Sequence, residues 1–246
     1  MSETVQLLDY TIQNDSVDNS LSAVKRLQKK AGFHRIVTLN PQMIVGGENN
    51  LLLKQWLQAA DIILADGVGL KWAAKLLLKQ ELSIVTGVQL VQQLIEENAY
   101  SFYFVGAGDT QLKAAVDVCK RCCPGSTIVG SHHGFFSQHD SQTIIEDIVA
   151  KKPDFIFVGL GFPKQEYFIQ TLSKYANSGI AVGVGGVFDV LSGHKRLAPA
   201  AIRNIGFEWL FRGLQEPKRI RHWSFLFRYI ALIFQNYFGS VAKYSI

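Results

Sequence analysis

Short apolar runs recur along the chain, and each ends in a small, polar or acidic residue: Arg35–Asn40, Ile62–Asp66, Ser101–Val105, Thr127–Val129, Phe155–Val158 and Ile180–Val182. The runs are continuous rather than alternating, which predicts strands buried on both faces of a parallel sheet. Between them lie stretches with helical spacing, at Gly47–Ala59, Leu70–Leu78, Gln89–Glu97, Thr110–Cys122, Ser141–Ala150 and Lys164–Tyr175. This alternation predicts an α/β fold with a doubly wound, Rossmann-like, mostly parallel sheet. No Pro- or Ser-rich linker divides the 246 residues, so the pattern predicts one catalytic core over residues 1–194. A basic, aromatic helical appendage follows over residues 195–246.

Charge sharpens that division. Residues 195–246 hold nine Lys or Arg against two Glu, a net +7; the whole chain is +5, so residues 1–194 carry about −2. The basic character belongs to the tail, and a nucleic-acid partner is not expected. The run Trp223–Phe234 carries Arg228 and is too short for a bilayer span, while basic residues beside Trp, Phe and Tyr suit a helix lying in an anionic membrane interface. Packing against a partner or the chain itself is the other reading of that pattern. The three cysteines Cys119, Cys122 and Cys123 crowd one segment with no second cluster to complete a zinc site, and no signal peptide is recognisable. Reduced thiols in a cytoplasmic protein are expected.

Ligands of doubly wound sheets bind beyond the carboxyl ends of the strands, and there the sequence places its polar residues. Asp66 follows a strand and precedes glycines and a helix; it reads either as a general base or as a helix N-cap. Thr38 and Asn40 lie two residues apart on one strand face, where they could bond sugar hydroxyls or shape the turn at Pro41. Two glycine-punctuated turns follow later strands. The first holds Gly159, Gly161, Pro163, Gln165 and Glu166, and the second Gly185, Gly186, Phe188 and Asp189. Their glycines allow close backbone approach, while Gln165, Glu166 and Asp189 supply directional hydrogen bonds. Gly106 and Gly108 resemble a shortened dinucleotide fingerprint, but the third glycine is missing and no acidic residue ends the next strand, where His132 and His133 stand. A nicotinamide cofactor is therefore not expected. The histidines lack metal-site spacing and no Asp-x-Asp pair occurs, so no metal is expected; a departing diphosphate would need Arg, Lys or backbone donors.

Seven segments in order, Thr38–Pro41, Ala65–Gly69, Val85–Gly87, Gly130–Phe136, Gly159–Glu166, Gly183–Asp189 and Gly206–Pro217, resemble the bacterial WecG/TagA/CpsF glycosyltransferases over roughly residues 35 to 222. The resemblance implies inverting transfer of N-acetylmannosamine, or a related aminosugar, from a UDP donor to a polyprenyl-diphosphate-linked N-acetylglucosamine at the inner face of the cell membrane. Teichoic acid linkage-unit, common-antigen and capsule synthesis are the pathways served in such families. No cofactor is implied, since the UDP-sugar is itself a substrate. By position, Asp66 looks like the general base, with Thr38, Asn40 and Gln165 orienting sugar hydroxyls and the turns at Gly106, Gly185 and Gly186 passing close to nucleotide and diphosphate. Arg212, Arg219 and Arg221 would close over the leaving UDP. The resemblance also suggests self-association as a homo-oligomer.

Two departures stand out. Ile84 and Gln89 occupy positions where family members commonly carry an arginine and a carboxylate, and Leu197 stands where an arginine is expected near the tail. They motivate a second reading, a catalytically silent nucleotide-sugar-binding or scaffold subunit.

Overall fold

The structure, a computed structural model, describes residues 3–195, 198–199 and 223–243. The chain opens with an antiparallel hairpin, β1 (Thr4–Leu7) and β2 (Tyr10–Gln13). Its two-residue turn, Leu8 and Asp9, has positive φ at both positions, the twist that suits a tight hairpin. Helix α1 (Val17–Gln28), capped by the Ser16 side chain, leads to the sheet.

The sheet comprises β3 (Gly32–Leu39), β4 (Ile62–Ala65), β5 (Ser101–Gly106), β6 (Thr127–His132), β7 (Phe155–Gly159) and β8 (Ser178–Gly183). Its order is β4-β3-β8-β7-β5-β6, and every pairing is parallel. The connecting helices are α2 (Pro41–Asn49) and α3 (Leu51–Gln58), then α4 (Val68–Leu78) and α5 (Gly87–Glu96). Farther along come α6 (Asp109–Cys122), α7 (Gln138–Lys151), α8 (Lys164–Leu172), α9 (Val187–Leu191) and α10 (Trp223–Lys243). The helix expected over Gly47–Ala59 is two helices. Asn50 ends the first in an extended conformation and caps the second by accepting from Leu53 N–H.

Strand alternation divides the core. Ile36, Leu64, Phe104, Phe157 and Val182 face one side, where α1, α5, α6 and α9 cover them. Leu39, Ile63 and Ala65 face the other, under the hairpin, α2, α3, α4 and α10, while Val105, Val158 and Ala181 face α7 and α8. Both faces are apolar, which is why these strands read as unbroken hydrophobic runs. Phe102, Phe104, Phe155 and Phe157 form an aromatic ladder, closed by Phe188 of α9 at 5.0 Å from Phe104.

The functional consequence lies in the connections. The chain leaves β3 for helices on one face of the sheet and leaves β8 for α9 on the other. Neighbouring strands whose exits diverge open a crevice at their carboxyl ends, the switch point at which such sheets bind ligands.

Candidate active site

Thr38, near the end of β3, is buried, and its Oγ1 donates to the Gly183 carbonyl of β8 across the crevice at 3.3 Å. Two residues on, Asn40 caps α2 by accepting from Met43 N–H at 3.0 Å. Its Oδ1 thus shapes the turn while its Nδ2 faces no partner among the described residues. Both readings of Asn40, turn former and polar donor, fit one side chain.

Asp66 stands one strand over. Its backbone N–H donates to Leu39 O at 2.7 Å, which fixes it beside the end of β3. The N-cap of α4 is Gly67, with no side-chain cap bond, so Asp66 does not cap the helix that follows it. Its Oδ2 instead accepts from Gly87 N–H at 3.3 Å. A Cβ built at Gly87 would lie 3.6 Å from Thr38 Oγ1 and 3.9 Å from Asp66 Oδ2, so the start of α5 is where the two polar groups converge.

Gln165, in the first turn of α8, is almost fully buried. Its Oε1 accepts from Gly185 N–H at 3.0 Å and its Nε2 donates to Glu166 Oε1 at 2.9 Å. A Cβ at Gly183 would sit 2.6 Å from that Nε2, so only glycine admits Gln165 here. Glu166 is buried as well, and among the described residues its Oε2 has no hydrogen-bond partner. Desolvation pushes its carboxyl up to about 7. It lines a small internal cavity with Arg35, Thr38, Trp56, Ala181 and Gly183. Arg35 stacks over Trp56 at 3.5 Å and donates to the Trp56 and Ala59 carbonyls, and burial lowers its pKa.

The remaining candidates form the rim. Gly106 lies against Gly159, where a Cβ would be 2.4 Å from the Gly159 carbonyl oxygen. Gly108 and Pro163 begin α6 and α8 without side-chain caps, and in α8 the Gln165 N–H donates instead to Gly161 O at 3.0 Å. The turn after Gly159 passes through Gly161 at positive φ and a cis Phe162–Pro163 bond. Past the Gly185–Gly186 turn, Phe188 is fully buried and Asp189 pairs with the Lys195 ammonium. Arg212, Arg219, Arg221 and Leu197 lie outside the described residues.

Several roles escaped the sequence. Gln89 forms a capping box with Thr86: Thr86 Oγ1 accepts from Gln89 N–H at 3.2 Å, and Gln89 Oε1 accepts from Thr86 N–H at 3.1 Å. The Thr-x-x-Gln spacing could have revealed it. Ile84 packs against the apolar cluster beneath α2 and α4. Tyr229 of α10 is buried and donates to Gly69 O at 3.1 Å, three residues past Asp66. No spacing rule links positions so far apart. Among the described residues no group of three or more His, Cys, Asp or Glu could hold a metal ion.

A doubly wound α/β sheet with a carboxylate, a hydroxyl and two amide side chains at its carboxyl edge belongs to the class of α/β proteins that bind ligands at a switch point. The model of the "Glycosyl transferase WecG/TagA/CpsF family" matches residues 5–242. A relative from Bacillus spizizenii, named N-acetylglucosaminyldiphosphoundecaprenol N-acetyl-beta-D-mannosaminyltransferase, is 32% identical over 234 residues, 91% of this chain and 90% of its own. One of the same name from Staphylococcus aureus strain MW2 is 32% identical over 188 residues, 75% of this chain and 73% of its own. The chain belongs to the WecG/TagA/CpsF family and is a glycosyltransferase.

Proposed function

We propose that this glycosyltransferase moves N-acetylmannosamine, or a closely related aminosugar, from UDP to the free hydroxyl of a polyprenyl-diphosphate-linked N-acetylglucosamine, with inversion and without a metal ion. The names of the relatives supply the acceptor class and sugar. The observation that carries the mechanism is Asp66, held at the β4 tip beside the β3–β8 crevice and not the N-cap of α4. The Asp66 carboxylate takes the proton of the acceptor hydroxyl as its oxygen forms a bond to the anomeric carbon. The bond from that carbon to the UDP oxygen breaks on the opposite face, and UDP leaves with the electron pair. One carboxylate suffices for such a single displacement. Thr38, Asn40 and Gln165 orient sugar hydroxyls. Negative charge on the leaving diphosphate is met by backbone N–H groups at the start of α6 and by Arg212, Arg219 and Arg221.

A lipid-linked acceptor requires the site to reach a bilayer. No described helix is long and apolar enough to cross one, but α10 carries an outward apolar stripe that suits peripheral attachment to an anionic surface. The silent-subunit reading loses part of its ground, since Gln89 is employed in capping α5.

The test is UDP release from UDP-N-acetylmannosamine with a polyprenyl-diphosphate-N-acetylglucosamine analogue, with and without a chelator. Turnover that survives chelation and is lost in Asp66→Asn is the expected result. UDP binding without turnover in the wild type would favour the silent subunit.

A further inference from the structure

Gln165 sits at the crevice with both ends of its carboxamide engaged, and the partner of its nitrogen end is a residue with no other described use. We infer that Glu166 is a positioning residue whose buried carboxyl group fixes which end of the Gln165 carboxamide is presented at the crevice. The Gly185 N–H can only donate, so it selects Gln165 Oε1. A carboxylate can only accept, so it selects Nε2. The two choices agree, and turning the amide over would set donor against donor and acceptor against acceptor. The arrangement holds the remaining N–H of Nε2 and the remaining lone pair of Oε1 in fixed places.

Glu166 is 4% exposed, and among the described residues its Oε2 has no partner and no ion pair explains its burial. Among the described residues Arg35 is the one other charged group that lines the cavity, and that guanidinium already donates to two main-chain carbonyls. The other lining residues, from β3, α2, α3, α8 and β8, do not titrate near neutrality. Desolvation places the Glu166 titration at about 7. Ionised Glu166 makes a charge-assisted bond to Gln165 and holds it more firmly than the neutral acid does. The clamp therefore tightens as pH rises through neutrality.

Two measurements test this, and only the second rests on the proposed reaction. In the nitrogen-15 NMR spectrum, the Gln165 side-chain amide signals, identified by their loss in Gln165→Ala, are expected to shift as pH passes through neutrality. They should stay fixed in Glu166→Gln, which keeps an acceptor oxygen and does not ionise. Signals that ignore pH in the wild type, or that titrate unchanged in Glu166→Gln, would overturn the inference. In the UDP-release assay, kcat/KM is expected to rise through neutrality in the wild type and to lose that limb in Glu166→Gln. Glu166→Leu should lower kcat by about tenfold to a hundredfold, the scale of one lost hydrogen bond to a charged group, and should add nothing further to Gln165→Ala. Additive losses would overturn it. A wild type that binds but does not process UDP-sugar would count against the reaction, and the amide titration would still decide the role of Glu166.

Discussion

A carboxylate at a strand tip beside glycines is commonly a cap or a reacting group, and for Asp66 the structure removes the first role at α4. Gly67 holds the cap position of α4 and makes no side-chain bond. Asp66 is left to accept from Gly87 at the rim of the crevice. Asp66→Asn keeps the size and an acceptor oxygen but cannot take a proton. It is expected to lower kcat by ~10²–10⁴, the usual worth of a positioned base, while calorimetry shows UDP affinity of the same order as wild type. Glu166 carries a prediction for stability. Its folded-state value of about 7 lies above the ordinary 4.5 because burial disfavours the charge, so the folded chain holds a proton that the unfolded chain has lost. Wild-type stability therefore falls as pH rises from about 4.5 towards 7, and the deficit levels off above that. Glu166→Gln removes it. Denaturant melts should show the variant gaining up to ~3 kcal/mol on wild type between acid and mildly alkaline pH. Asp66, Thr38 and Asn40 were legible because strand ends show in hydrophobic patterning. The inward turn of Glu166 was not, since a helix's first turn does not disclose which of its polar residues lies against the sheet.

Among the elements, the six parallel strands and most helices could be read from apolar runs and spacing, because burial on both faces leaves an unbroken signal. The β1–β2 hairpin and α1 were missed. Each hairpin strand has only four residues, and the turn is Leu8-Asp9, without the glycine that usually marks one. Gln89 is the instructive case. Against the family pattern it looked like a lost charge, yet it closes the capping box that starts α5, and Gly87 of that same turn donates to Asp66. Gln89→Ala is expected to cost about 1 kcal/mol in a denaturant melt, as for a lost N-terminal cap, and to lower kcat as the Gly87 N–H drifts from Asp66. Gln89→Glu preserves the box and should melt and turn over like wild type. A Gln89→Ala protein with unchanged stability would remove the capping box as the explanation for this residue.

For the molecule as a whole, the question is how an uncharged-to-acidic body and a basic tail share one task. Helix α10 answers with two apolar faces. Tyr229 and Ile233, four residues apart, are buried against α2 and α4. Phe227, Ile230, Phe234 and Phe238 recur at helical spacing and are exposed, Phe227 at 66% and Phe238 at 63%. On neighbouring α4, Trp72 is 58% exposed. A stripe of large apolar side chains on a helix that carries Arg228 and follows a basic stretch of sequence suits the boundary between headgroups and acyl chains. Because Tyr229 donates to Gly69 beside the α4 start, the same helix that would touch lipid is tied to the segment carrying Asp66. Changing Phe227, Phe234 and Phe238 together to Ser should abolish cosedimentation with anionic vesicles while leaving the melting temperature and UDP affinity near wild type, since none of the three is buried in the body. Wild-type cosedimentation should weaken as salt shortens the Debye length from ~10 Å at 0.1 M to ~3 Å at 1 M, and should fail with neutral vesicles. Turnover of a short-chain, water-soluble acceptor would survive the triple change, and turnover of a vesicle-embedded one would fall with binding. Equal loss on both acceptors would assign the stripe to the active site or to a protein partner instead of the bilayer.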